Sequence, residues 1–313
     1  MNEVVIKPAK NLVGSIRLPG DKSISHRYAM LGAVAEGTTR LRNFSTGADC
    51  ASTLKCLRAL GVSVTNSDGE IAISGGVTAL SAASMPLDCG NSGSTIRMLS
   101  GILAGQPFSS ELVGDASLSR RPMRRIIEPL SRMGAEISSQ DGHAPLRING
   151  GKLRGIEYKP QEASAQVKSS LLFAGLFAKD ETSVEEPVRT RDHGELALRA
   201  FGAEVKCDRN RVSIKGGQRL KAIEASVPGD ISSAAFFLCA AALFPESNLV
   251  IDSLLLNPTR AVLLDVLVGL GARVRMVQVE EQHGELTGTI ALEAGPLKGI
   301  RLAGWQSAAQ SCL

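Results

Sequence analysis

One phrase of about seventy residues recurs four times along this chain, and it limits the fold more than any single motif. Its most visible landmark is a glycine, at Gly61, Gly134, Gly202 and Gly271, with spacings of 73, 68 and 69 residues. Ahead of each glycine lies an amphipathic helical pattern, over 48–60, 121–133, 191–201 and 258–270. Behind each come two alternating apolar runs around a polar turn, closing in three cases on Gly-Gly (75–76, 150–151 and 216–217). A glycine between a helical and an alternating pattern reads as a helix C-cap that feeds a hairpin. The other half of the phrase is a strongly apolar helix opened by a cap candidate: Asp21-Lys22-Ser23, Asn91-Ser92-Gly93-Ser94, Ser164-Ala165-Gln166 or Asp230-Ile231-Ser232-Ser233. The unit is therefore strand, apolar helix, strand, amphipathic helix, two strands, which makes the fold class α/β (α+β). The period is too long for a solenoid of minimal units. Helices this apolar, 234–244 above all, are expected to be buried on every side.

The first cap region adds chemistry. In Leu18-Pro19-Gly20-Asp21-Lys22-Ser23-Ile24-Ser25-His26-Arg27 two cations sit at a helix N-terminus, the wrong end for dipole stabilisation. Free amides and cations together suit a bound anion better than a plain turn does. Net charge is only +4, from 35 basic and 31 acidic residues, and aromatic content is 4%. Bases neither clustered nor interleaved with aromatics argue against a nucleic-acid partner and leave a small anionic ligand. The six cysteines form no C-x-x-C pair, so free thiols in a reducing compartment are expected, without zinc or disulfides. The chain opens with no signal-peptide pattern, and its longest apolar helix is too short for a bilayer. A cytoplasmic protein with no membrane partner is expected, and 313 residues suffice for two domains.

Several separated motifs resemble the enolpyruvyl transferase family, in its shikimate-pathway branch. They are the 18–27 stretch, Gly90-Asn-Ser-Gly-Ser-Thr-Ile-Arg97, Gly114-Asp115 with Arg120-Arg121-Pro122-Met123, Ser164-Ala-Gln-Val-Lys-Ser169, Thr190-Arg-Asp-His193, Val227-Pro-Gly-Asp-Ile-Ser-Ser233 and Asn257-Pro-Thr-Arg260. The resemblance implies inside-out α/β barrel-like domains, three units in each of two. It implies transfer of the enolpyruvyl group of phosphoenolpyruvate to the 5-hydroxyl of shikimate 3-phosphate, with release of phosphate and with no metal or organic cofactor. Family members are typically monomeric. By resemblance Lys22 lies between the substrates as the catalytic residue, contacting both. Ser23, Arg27, Ser164, Ala165, Gln166 and Arg191 take shikimate 3-phosphate. Asn91, Gly93, Arg121 and, again, Gln166 take phosphoenolpyruvate. Arg97 is expected to brace the phosphoenolpyruvate loop, Cys89 to be a small buried hydrophobe, and His26 and His193 to be structural. His143 and His283 fall in hairpin turns. Gly93 keeps the small residue of glyphosate-sensitive members, so sensitivity is expected of a full-length version.

Two departures stand out. Gly194 replaces a polar residue usual after Asp-His, weakening that helix start. After Ile300 the family pattern gives way, over 305–313, to a tail without apolar periodicity or the expected acidic pair. Four of six units are recognisable, and at the repeat's own period two more would take about 140 residues. The domains are then expected as 1–20, N-terminal strands of a second, incomplete domain; 21–225, a complete three-unit domain; 226–304, one unit of the incomplete domain; and 305–313, the divergent tail. A chain so truncated is expected to be impaired and to associate through uncovered apolar faces, and a non-catalytic module holding shikimate 3-phosphate is the alternative. The UDP-N-acetylglucosamine branch fits poorly: Ser23, not Asn, follows Lys22, and 115–120 contains no Cys. A nucleic-acid-end cyclase of related architecture lacks the basic pattern.

Overall fold

The computed structural model describes residues 5, 8–76 and 78–301; the 305–313 tail and Cys312 lie outside them. The first repeat consists of β1 (Val13–Arg17), α1 (Lys22–Val34), β2 (Gly37–Arg42), α2 (Ala48–Ala59), β3 (Ser63–Ser67) and β4 (Glu70–Gly75). The second consists of β5 (Leu87–Asp88), α3 (Gly93–Ala104), β6 (Ser109–Val113), α4 (Arg124–Met133), β7 (Glu136–Gln140) and β8 (His143–Asn149). The third has β9 (Glu157–Tyr158), α5 (Ala165–Gly175), β10 (Glu181–Glu185), α6 (His193–Ala200), β11 (Val205–Asp208) and β12 (Arg211–Lys215). The fourth has β13 (Glu224–Ser226), α7 (Ile231–Leu243), β14 (Asn248–Leu255), α8 (Val262–Leu270), β15 (Arg273–Gln282) and β16 (Glu285–Glu293). All four follow the order expected from the sequence.

The signals at the helix ends act as predicted. Ser92, Ser164 and Asp230 are N-caps whose side chains accept the backbone N–H of Thr95, Val167 and Ser232. Gly134 and Gly271 close α4 and α8 in the left-handed conformation, at φ +114° and +109°, which a side chain would strain. Three helices start later than their periodicity suggested. Residues ahead of α4 form a 3-10 turn (Leu118–Arg120), after which Arg121 is extended because Pro122 follows it. Residues 258–261 form a turn ahead of α8, and Arg191 lies in the link before α6.

Among the described residues each repeat pattern yields a four-stranded sheet, in which a leading strand runs parallel to the second strand and a hairpin completes it. Repeats two and three keep their own leading strands, giving β5-β6-β8-β7 and β9-β10-β12-β11. Repeats one and four exchange theirs. β1 pairs with β14, Val13 opposite Asn248 through Arg17 opposite Asp252, while β13 pairs with β2, Glu224 opposite Arg40. The chain accordingly divides into two compact units, one over Lys22–Val227 and one of the residues up to Asp21 with those from Pro228 onward.

In the Lys22–Val227 unit the apolar helices α1, α3 and α5 are buried over nearly their whole length. α1 packs on α3 and α3 on α5. The amphipathic helices complete a ring: α2 packs on α1 and α3, α4 on α3 and α5, and α6 on α5 and α1. Each of α1, α3 and α5 rests on its own repeat's sheet. Helices inside and sheets outside is the arrangement the all-round apolar pattern demands. In the second unit α7 packs on β14, β16 and α8, and one side stays uncovered: Phe236, Phe237 and Leu243 are exposed. The expectation that this helix is buried on every side is therefore corrected. An apolar pattern calls for partners on all sides, and among the described residues only one side supplies them.

No helix among the described residues is long and apolar enough to cross a membrane. No group of three His, Cys, Asp or Glu among them stands at metal-binding separation. Cys50, Cys56, Cys89, Cys207 and Cys239 are free thiols.

Candidate functional site

The N-termini of α1, α3 and α5 come together in the Lys22–Val227 unit and carry most of the residues singled out above. On α1, Arg27 is 3% exposed and reaches across to α5. It donates from Nε (3.2 Å) and Nη2 (2.9 Å) to Ser169 Oγ, from Nη2 to the Ala165 carbonyl (3.4 Å) and from Nη1 back to the Ser23 carbonyl (2.8 Å). Arg191, from the link before α6, donates to Ser23 Oγ at 3.5 Å. Ser23, Arg27, Ala165 and Arg191 thus form one connected group at the start of α5, where Ser164 is the cap.

A second cationic group surrounds the N-terminus of α3. Arg121 donates to Asn91 Oδ1, and the Asn91 amide donates to both oxygens of Asp115, at 3.0 and 2.7 Å. Asp115 also accepts the Leu118 N–H at 2.7 Å, and these donors, led by Asn91, hold its carboxyl below the usual range. Arg97, one turn into α3, has its pKa lowered by burial and then by the neighbouring Arg121 and Arg125. A Cβ on Gly93 would fall 3.0 Å from Arg97 Nη1 and 3.3 Å from Arg121 Nη1, so the glycine leaves room for both guanidinium groups. Arg125 is paired with Glu162 and Arg121 stands beside Asp115, and a further anion at this helix N-terminus would offset the remaining repulsion among the three arginines.

Gln166, in the first turn of α5, links the two groups. Its Oε1 accepts from Arg97 Nη1 at 2.9 Å, and its Nε2 donates to Ser94 Oγ at 2.9 Å. Arg97 also donates to the Pro122 carbonyl at 3.4 Å, so it braces the α3 terminus against the Arg121 segment. Lys22, the first residue of α1, pairs with Asp49 of α2 at 2.5 Å, and both remain partly exposed.

The histidines are placed as follows. His26 is wholly buried, and its Nδ1 lies 2.7 Å from Thr53 Oγ1 of α2. Thr53 lies 2.7 Å from Thr95 Oγ1 of α3, which donates to Ser92 Oγ at 2.7 Å. With Thr95 donating onward, the donors run His26, Thr53, Thr95, Ser92, which assigns the ring proton to Nδ1 and leaves Nε2 as a bare lone pair. Nε2 is buried without a hydrogen-bond partner, a cheaper omission for a lone pair than for an N–H. Burial, with Lys22 second, lowers the ring pKa to about 3, so this histidine is neutral and ties α1 and α2 to the cap of α3. His193 is buried at the start of α6 and His283 lies in a hairpin turn, whereas His143, expected in a turn, is the first residue of β8, paired with Gln140 just past the Asp141-Gly142 turn. Cys89 is fully buried, its thiol pushed up by the Cys56 thiol and by burial.

Sequence reasoning passed over Asp49, Thr95 and Ser169, all of which engage the site, and gave Ser94 no side-chain role. Asp49 lies in the first turn of α2, where an acid suits the dipole, so its pattern signalled nothing more. Ser169 lies inside an apolar helix and is visible only through Arg27. Gly194 also gains a reason: a Cβ there would fall 2.6 Å from the Ser169 Oγ that receives Arg27.

The EPSP synthase family, described as 3-phosphoshikimate 1-carboxyvinyltransferase, matches residues 6–301. The chain is 63% identical over 305 residues to the 3-phosphoshikimate 1-carboxyvinyltransferase of Koribacter versatilis, covering 97% of the chain and 71% of that relative. It is 55% identical to the Solibacter usitatus protein of the same name, covering 97% of the chain and 72% of that relative. An EPSP synthase structure from Acinetobacter baumannii superposes with a TM-score of 0.91 at 44% identity, over 97% of this chain and 70% of that one.

Proposed function

Because the chain belongs to the EPSP synthase family, we propose that it transfers the enolpyruvyl group from phosphoenolpyruvate to the 5-hydroxyl of shikimate 3-phosphate, releasing phosphate. This places it as a cytoplasmic transferase on the shikimate route to chorismate and the aromatic amino acids. The observation that carries the reading is Gln166, hydrogen-bonded into the Arg97–Arg121 group at one end of its amide and to the α3 terminus at the other, while opening the helix that Arg27 grips. Two anion sites one side chain apart suit a reaction between two anionic substrates, which would otherwise repel.

Ser23, Arg27, Ser164, Ala165, Gln166 and Arg191 hold shikimate 3-phosphate in this reading, its phosphate at the α5 N-terminus. Asn91, Gly93, Arg121 and Gln166 hold phosphoenolpyruvate at the α3 N-terminus. Lys22, with its flexible ammonium, reaches both and stabilises charge and moves protons at the transferred carbon during addition and elimination. The Asp49 carboxylate orients that ammonium. The bound groups are small molecules, and neither nucleic acid nor membrane enters the reading.

The test is calorimetry and phosphate release on the 313-residue chain. Saturable binding of shikimate 3-phosphate is expected, weakened about 10–100-fold by Arg27→Ala, the range for a lost charged hydrogen bond. Phosphate release from the two substrates together, abolished by Lys22→Ala, shows that this chain completes the reaction by itself. Binding without release makes it a substrate-holding module, and no binding at all overturns the reading.

A further inference from the structure

Behind the anion-binding face, the Lys22–Val227 unit buries a charge cluster that the proposed chemistry does not touch. Lys168 of α5 places Nζ 2.8 Å from Glu186 Oε2 and 2.8 Å from Glu195 Oε1. All three residues are at most 3% exposed. Removing such ions from water is costly, and a buried ion pair is often no more stable than an apolar replacement. Stability alone is therefore a weak reason for one cation and two carboxylates in this place.

What the cluster holds is more informative. Glu186 follows β10 and Glu195 lies in the first turn of α6, so Lys168 grips both ends of the link between those elements. Inside the link, Glu186 accepts from Thr190 twice, from Oγ1 at 2.6 Å and from the backbone N–H at 3.2 Å. The next residue is Arg191, which donates to Ser23 Oγ. Lys168 itself stands one turn beyond Ser164–Gln166 on α5. A buried frame thus joins the residue that carries Arg191 to the helix whose N-terminus Arg191 faces.

We infer that Lys168, Glu186 and Glu195 are positioning residues that fix the Thr190–Arg191 segment to α5, so that Arg191 meets the phosphate of shikimate 3-phosphate preorganised. The inference rests on the proposed function for its ligand, but the frame can be tested without it. Lys168→Met strands two carboxylates and chiefly tests folding. Glu186→Gln keeps shape and leaves Lys168 a single neutralising partner, and Thr190→Val removes only the hydroxyl donor. On the 313-residue chain both substitutions are expected to weaken shikimate 3-phosphate binding about tenfold. Thr190→Val is expected to cost nothing further in an Arg191→Ala background, because a positioning contact loses its value with the group it positions. Equal losses in both backgrounds, or unchanged affinity in Glu186→Gln, overturn the inference. If the unaltered chain binds no shikimate 3-phosphate, the substrate reading falls by itself and amide hydrogen exchange judges the frame. Exchange at Thr190 and Arg191 is expected to quicken about tenfold in Glu186→Gln with α5 and α6 unchanged, and equal exchange overturns it.

Discussion

Phe173 and Phe236 belong to two helices that the repeat makes equivalent, α5 and α7, yet Phe173 is wholly buried and Phe236 is 80% exposed. Both helices open on a side-chain cap, and the exposed one is the more apolar: α7 carries no charged residue, whereas α5 contains Lys168. The difference lies in what surrounds them. In the Lys22–Val227 unit three repeats return α6 onto α1, and the closed ring covers every face of the inner helices. α7 has its own sheet and α8, and nothing among the described residues covers the side that carries Phe236 and Leu243. The comparison separates what an apolar pattern makes possible from what ring closure achieves.

Truncation at the two phenylalanines should break the equivalence most sharply. Phe173→Ala leaves a cavity in the closed ring and is expected to cost about 3–5 kcal/mol in denaturant unfolding. Phe236→Ala should stay within about 0.5 kcal/mol, the usual range for an exposed site. Equal costs would mean that the exposed helix is covered in solution.

Acid offers a second probe of the closed unit. Folded His26 stays neutral down to about pH 3, whereas in the unfolded chain it takes up a proton near its ordinary 6.5. Between those values the unfolded state binds more protons, so the contribution is complete above about pH 6.5 and is lost as pH falls. The slope for one group is about 1.4 kcal/mol per pH unit. Denaturant titrations of the parent chain and of His26→Gln, from pH 7 to 4, should show the variant lacking up to that much slope. Identical slopes would mean that His26 is not buried neutral.

The smallest effect on stability should be the largest on association. Phe236, Phe237, Leu243 and Val268 are exposed apolar residues of α7 and α8, and exposed apolar patches favour association. Phe236→Ser with Leu243→Ser is expected to shift sedimentation toward the monomer without moving the unfolding midpoint. A monomeric parent chain would show that this face does not self-associate.

Much of this architecture was legible beforehand because its signals are local. A cap serine such as Ser164 satisfies donors within its own turn, and Gly134 closes α4 through its own φ. The one-turn errors at α4 and α8 came from Pro122 and from the turn at 258–261, where a helical period runs on past the backbone that can carry it. The site residues carried by motifs could be named one by one. Asp49, Ser169 and the Lys168–Glu186–Glu195 frame could not, because each draws its meaning from a partner tens of residues away.

The sequence by itself therefore determined the four-fold unit, its caps and the two cations in the first turns of α1, since each depends on backbone geometry and charge within a few residues. The tertiary structure alone decided which leading strand completes which sheet, whether an apolar helix is covered, and which guanidinium meets which helix. Those outcomes depend on closing a ring across some 200 residues, where equivalent repeats offer chemically similar partners and only packing chooses among them.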